Sequence, residues 1–143
     1  MMTYSDKPLS SDDLKQVQKG FALISARAGE SPAETLRLTV QVREDELFIG
    51  CASGLASNSK SWFYLTDLFV KEDCRNQGVG RELLERIEVL ASEHGALHIW
   101  TRTESHGAFG FYRKCGYEVL FELPGWYSNG HSHIGLSKEV ATS

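Results

Sequence analysis

Apolar residues recur at three- and four-residue intervals in two stretches of this chain. In the first, Leu14, Val17, Phe21 and Ile24 share one side, and Ser11-Asp12-Asp13 ahead of them predicts a capped helix running to about Ala26. In the second, Val79, Leu83, Leu84, Ile87, Leu90 and Ala91 form the apolar stripe. Arg81, Glu82, Glu85, Arg86 and Glu88 fill the remaining positions, and His94-Gly95 marks the stop. Elsewhere the pattern has the two-residue period of strands. Residues 36–43 and 47–51 alternate around Glu44-Asp45, which predicts an antiparallel hairpin. Residues 62–70 make a longer apolar run broken by Thr66-Asp67, and 96–103, 117–123 and 131–138 are further strands. Residues 106–115 predict a short helix capped by Gly116, while 29–32, 54–61 and 124–129 read as loops. Hairpin strands followed by strands alternating with helices predict an α/β (α+β) fold with a mixed, mostly antiparallel sheet.

Length then bounds the answer: 143 residues suit a single domain, 1–143, with one core. No apolar run approaches the roughly 20 residues of a membrane span. The polar, acidic first 13 residues predict no secretory leader and hence a cytoplasmic location. Cys51, Cys74 and Cys115 are widely separated, so neither a disulfide framework nor a zinc ribbon is expected. A net charge of −4 argues against sequence-independent binding to nucleic acid and favours a cationic partner such as a small-molecule or peptide amine.

Chemistry concentrates between the 62–70 strand and the second helix, at Arg75-Asn76-Gln77-Gly78-Val79-Gly80. Gly78 and Gly80 leave backbone amides unobstructed, and the positive end of the helix dipole lies behind them, with Arg75 and Arg81 adding charge. This is an anion cradle. The dinucleotide fingerprint requires a third glycine where Leu83 stands, and the P-loop requires a Gly-Lys-Ser/Thr ending that is absent. What remains, Arg/Gln-x-x-Gly-x-Gly/Ala, resembles the pyrophosphate loop of the GNAT superfamily of acyl-CoA-dependent N-acetyltransferases. Phe111-Tyr112-Arg113-Lys114-Cys115-Gly116-Tyr117 is similar to that superfamily's Phe-Tyr-x-x-x-Gly-Tyr/Phe, and Gly130-His131 with the strand that follows resembles the end of many small stand-alone bacterial members. The likeness runs from about Leu36 onward.

The resemblance implies a sheet whose middle strands, here 62–70 and 96–103, splay apart to admit acetyl-CoA as cosubstrate. It implies that Leu68, Phe69 and Val70 offer backbone groups to the pantetheine like an added strand, and that Arg75, Asn76, Gln77, Gly78, Val79, Gly80 and Arg81 hold the pyrophosphate. Tyr112 would serve the departing thiolate as an acid. With tyrosine near pKa ~10 and a thiol near ~8.5, full proton transfer is uphill by roughly 2 kcal/mol, so a hydrogen bond describes the role better. A lysine-like amine is protonated at pH 7 by a margin of about 3.4 units, roughly 4.6 kcal/mol, which calls for a base. Asp67 and Glu104 both qualify, and His106, read as a first-turn helix residue, is a third candidate. His131 and His133 alternate on a strand with no third ligand evident, so no metal is expected. Cys115 reads as a buried helix end, which favours direct transfer over an acyl-cysteine. The acceptor pocket is expected among the N-terminal helix, the 54–61 loop, Trp62, Tyr64, Trp126 and Tyr127. Family members often pair as dimers, and the apolar last strand allows a homodimer. A CoA-binding sensor without catalysis and a protein-protein adaptor are the rival readings.

Overall fold

Both helical stripes are realised, as α1 (Ser11–Arg27) and α2 (Val79–Glu93), in a computed structural model that describes residues 1–31, 34–57 and 61–140. The chain forms two compact units, Met1–Glu34 and Thr35–Ser143. The first is built around α1. Its cap is Ser10, one residue ahead of the expected cluster: the Ser10 hydroxyl accepts from the Asp13 amide at 3.1 Å, and the Asp13 carboxylate accepts from the Ser10 amide at 3.3 Å. That reciprocal pair satisfies two orphan donors at once.

The second unit holds six strands: β1 (Thr35–Glu44), β2 (Leu47–Ser57), β3 (Trp62–Val70), β4 (His98–Glu104), β5 (Glu118–Leu123) and β6 (His133–Glu139). Their order across the sheet is β1-β2-β3-β4-β6-β5, and only β3 and β4 run parallel. The mixed, mostly antiparallel sheet is thus as expected. The hairpin turn sits at Asp45-Glu46, whose φ angles of 48° and 72° are both left-handed, as a two-residue turn between twisted strands demands. β4 starts at His98 because Ala96 and Leu97 belong to the turn leaving α2, where the amides of Leu97 and His98 both reach Ser61 O at 2.9 Å.

One expected loop is a strand. Residues 54–57 continue β2, and 58–60 lie outside the described residues. The small residues there serve packing: a Cβ on Gly54 would come within 2.6 Å of the Phe63 ring and would also strike the Tyr64 carbonyl. Composition typical of loops was being used to bring two strands together.

The core lies on the side of the sheet covered by α2. Leu83, Leu84, Ile87 and Ala91 of α2 meet Leu38, Ala52, Phe63, Leu65, Ile99 and Leu136 of the sheet. The last helix, α3 (Phe109–Lys114), adds Tyr112, and Gly116 at φ 94° turns the chain into Tyr117. Tyr117 is fully buried, donates to Glu88 at 2.7 Å, and Glu88 also accepts from Lys138 at 3.1 Å. No helix among the described residues is long and apolar enough to cross a membrane.

Candidate active site

The sheet forks at its only parallel junction. β3 and β4 pair at Trp62↔His98, Phe63↔Ile99 and Tyr64↔Trp100 and at no later residue, although both strands continue. Thr101 closes the base of the fork, its hydroxyl donating to Leu65 O at 2.9 Å in place of the next ladder bond. β3 carries a bulge there: Ser53 faces Asp67 and Gly54 faces Leu65, so Thr66 is an extra residue. Beyond it, Leu68, Phe69 and Val70 form the wall of a cleft of about 450 Å³.

The opposite walls come from the turn and helix start. A single 3-10 turn, Glu72–Cys74, delivers the chain to Asn76 at φ 62° and Gly78 at φ 82°, the latter being the N-cap of α2. Left-handed residues alternating with right-handed ones aim successive amides at one point, and the open first turn of α2 adds its own. Gly78 is required by conformation and not by space, since nothing lies within 4 Å of where its Cβ would be. Gly80 differs. A Cβ there would touch Phe111 at 3.6 Å and Val70 at 3.7 Å, ordinary contact distances.

Nine of the ten residues predicted to hold the cofactor line this cleft, namely Leu68, Phe69, Val70, Arg75, Asn76, Gly78, Val79, Gly80 and Arg81. Gln77 turns instead toward a neighbouring hollow beside residues 40–43. Both arginines have partners: Arg75 Nε donates to Val70 O at 2.9 Å, and Arg81 pairs with Glu85 at 3.3 Å. Sequence reasoning missed Cys74, Ala108 and Phe111 as lining residues. Phe111 was within reach, because it directly precedes the tyrosine of the Phe-Tyr motif.

Tyr112 stands on the α2 side of the fork, buried edge-on between Phe111 and Tyr117 at 5.5 and 5.4 Å. Its hydroxyl meets that of Thr101, at the closed end of the split. Burial pushes its pKa up to about 12, against a smaller lowering by the Thr101 hydrogen bond, so the phenol is a firmly held neutral donor. Burial likewise raises the Cys115 thiol, which makes it a poor nucleophile.

Asp67 and Glu104 lie on the other side of the sheet. Asp67 shares that side with Ser53 and Arg37, accepts from Thr66 at 2.7 Å and pairs loosely with Arg37 at 3.8 Å. Glu104 ends β4 opposite His133, with its carboxylate 2.6 Å from His106 Nε2. His106 occupies the turn after β4, closed by the Gly107 amide on Glu104 O at 3.0 Å, and not the first turn of α3. The two other histidines do not share a strand face as expected. His131 precedes β6 and contacts Ser105 at 3.2 Å and the His106 ring at 4.2 Å, whereas His133 bonds Tyr127 at 2.7 Å and stacks on Trp126. No group of three or more His, Cys, Asp or Glu able to hold a metal occurs among the described residues.

Comparison with known proteins agrees with this geometry. The model of the acetyltransferase (GNAT) family matches residues 9–117. An acetyltransferase of Agrobacterium fabrum, Atu2258, is 30% identical over 113 residues, 79% of this chain and 80% of the relative. Among solved structures, an acetyltransferase from Bacillus cereus superposes with a TM-score of 0.76 at 23% identity, covering 95% of this chain and 97% of that one. An aminoglycoside 6'-N-acetyltransferase complexed with coenzyme A gives a TM-score of 0.67 at 18% identity, covering 75% of this chain and 74% of its own. A forked sheet, an amide cradle at the helix start and this match over most of the chain lead to one statement: the protein belongs to the acetyltransferase (GNAT) family.

Proposed function

We propose that this protein transfers an acetyl group from acetyl-CoA directly to the primary amine of a small molecule or peptide in a ternary complex. The observation that carries this reading is the fork itself: its mouth meets the amide cradle of α2, its wall is a length of β3 unpaired along its β4 edge, and its closed end meets the Tyr112 hydroxyl. The residues fit an anionic, extended ligand. Amides of 76–81 suit a diphosphate, and the open edge of β3 at Leu68 and Phe69 suits amide-bearing pantetheine. When bound, acetyl-CoA supplies an activated thioester.

The chain's own residues then work from opposite sides of the sheet. Tyr112 donates a hydrogen bond from the α2 side to the sulfur. With its pKa at about 12 against a thiol near ~8.5, giving up the proton outright would cost about 5 kcal/mol, so it stabilises the developing charge while keeping its proton. From the other side, Asp67 or Glu104 takes the amine proton, directly or through water. Glu104, backed by His106 at 2.6 Å, has a partner able to pass that proton to solvent. Three unpaired cysteines suit the reducing cytoplasm in which we place the protein.

The test measures free-thiol release from acetyl-CoA across a panel of amines, alongside calorimetric titration of coenzyme A. Binding together with acceptor-dependent turnover is expected, with Asp67→Asn and Glu104→Gln distinguished by which one abolishes the acidic limb of the rate profile. Binding without turnover on any acceptor would favour a non-catalytic sensor. No uptake at millimolar concentration would defeat both.

A further inference from the structure

Arg102 and Glu104 occupy alternate positions of β4 and emerge on the same side of the sheet, the one opposite Tyr112. Their Cα atoms are separated by two strand residues, about 6.6 Å. Opposite charges at that spacing ordinarily pair, yet each is held by something else. Arg102 Nε donates to the Tyr64 hydroxyl at 2.8 Å with the guanidinium carbon 5.7 Å from that ring, and Glu104 is engaged by His106 at 2.6 Å. No carboxylate among the described residues pairs with Arg102, so its terminal amino groups are left pointing past Tyr64.

Position makes this pair informative. Arg102 directly follows Thr101, whose hydroxyl closes the fork, so its side chain leaves β4 at the base of the fork on the face opposite that hydroxyl. Aromatic surfaces frame it. Tyr64 stacks on Trp100 at 4.3 Å, and on β6 the partner of Arg102 is Gly135, over which the Phe121 ring lies so closely that a Cβ would collide. The side chain is exposed to an arriving ligand, and guanidinium matches the planar fork of a carboxylate.

Resting on the proposed amine acetylation, we infer that the acceptor is an α-amino acid, its carboxylate bound by Arg102 and its ammonium group by Glu104. An α-amino acid carries its two charges one carbon apart, opposite in sign to the two that β4 presents two residues apart on one face. A simple amine satisfies Glu104 and leaves Arg102 unused. A free amino acid satisfies both.

The experiment compares acceptors in matched forms, each as the α-amino acid, its α-carboxamide and its decarboxylated amine. The expected result is a kcat/KM about 10- to 100-fold higher for the amino acid, the range of one charge-assisted hydrogen bond. The carboxamide amine is less basic and therefore less protonated, so this preference runs against intrinsic reactivity. Arg102→Gln should bring the ratio of acid to amide close to one, and Arg102→Lys should restore part of it. Calorimetry with acetyl-CoA on Arg102→Gln should give the wild-type affinity, which separates acceptor recognition from cofactor binding. Equal turnover of acid and amide by the wild type overturns the inference while leaving the acetyltransferase reading intact. So does a uniform loss on both forms in Arg102→Gln, which would make the arginine a prop for Tyr64. Failure of the wild type to bind acetyl-CoA would remove the foundation as well.

Discussion

On one side of the fork the cleft proposed for the donor is made almost wholly from a continuous piece of chain, residues 68–81, joined by Phe111 and Ala108. On the other, the polar side chains come from three strands and a loop, and Asp67, Arg102 and His131 are each fastened by a partner remote in sequence, Arg37, Tyr64 and Ser105, while His133 is held by the nearby Tyr127. On our proposal the first region grips with main-chain amides, whose direction depends on φ and hardly at all on side chains. The second would select with side chains. On that reading one scaffold can keep its donor while the acceptor varies.

Breaking the contact between the two regions should have the largest effect. Tyr112→Phe removes the only hydroxyl of α3 at the closed end of the fork, and kcat is expected to fall about 10²- to 10³-fold with the KM for acetyl-CoA within about twofold of wild type, measured by steady-state thiol release. Packing beneath the donor side comes next. Glu88→Ala strands the Tyr117 hydroxyl and Lys138, so chemical denaturation should show a loss of about 3 kcal/mol, with no selective effect on either substrate.

Alkali probes the same buried layer. Tyr112 has a folded pKa of about 12 against an ordinary value of 10.0, so both states are neutral below pH 10 and the unfolded chain ionises first above it. Stability contributed by the neutral phenol is complete below pH 10 and falls as pH rises to about 12, by roughly 3 kcal/mol. Burial, then Glu88, push Tyr117 up as well, which steepens the decline. Denaturant midpoints across pH 9 to 12 would test this, and a flat profile would contradict it.

The two glycines sharpen the contrast most finely. Gly78→Val forces a β-branched residue into a left-handed conformation at about 1–3 kcal/mol, and calorimetry should show affinity for coenzyme A about 10- to 100-fold weaker. Gly80→Ala meets only ordinary contacts at 3.6 and 3.7 Å and should change affinity less than about threefold.

Legibility followed the same division. The turn at 75–80 could be read because glycine spacing, helix periodicity and the preceding strand all sit in one window, and five of its six residues do line one cleft. Tyr112 was recognised from a contiguous motif, though its burial and its contact with Thr101 depend on a strand that comes earlier in the chain. Gly54 misled because a glycine that lets strands approach has the same local signature as one that makes a loop. His131 and His133 misled because strand alternation fails where the strand has not yet begun. The pairing of Arg102 with Tyr64 was out of reach, since it joins residues 38 positions apart through a parallel register that no local pattern encodes.

The seam between β3 and β4 has a mechanical meaning. Among the described residues the backbone ladder joining the β1-β2-β3 half of the sheet to the β4-β6-β5 half is three residue pairs long, helped by one threonine hydroxyl. On our proposal, coenzyme A seated against the open edge of β3 works as mortar there, supplying bonds that β4 does not give. The empty protein should therefore exchange amide hydrogens fastest along residues 66–70, and saturation with coenzyme A should slow that exchange and raise the melting temperature together, since the ligand holds shut the line along which the molecule would come apart.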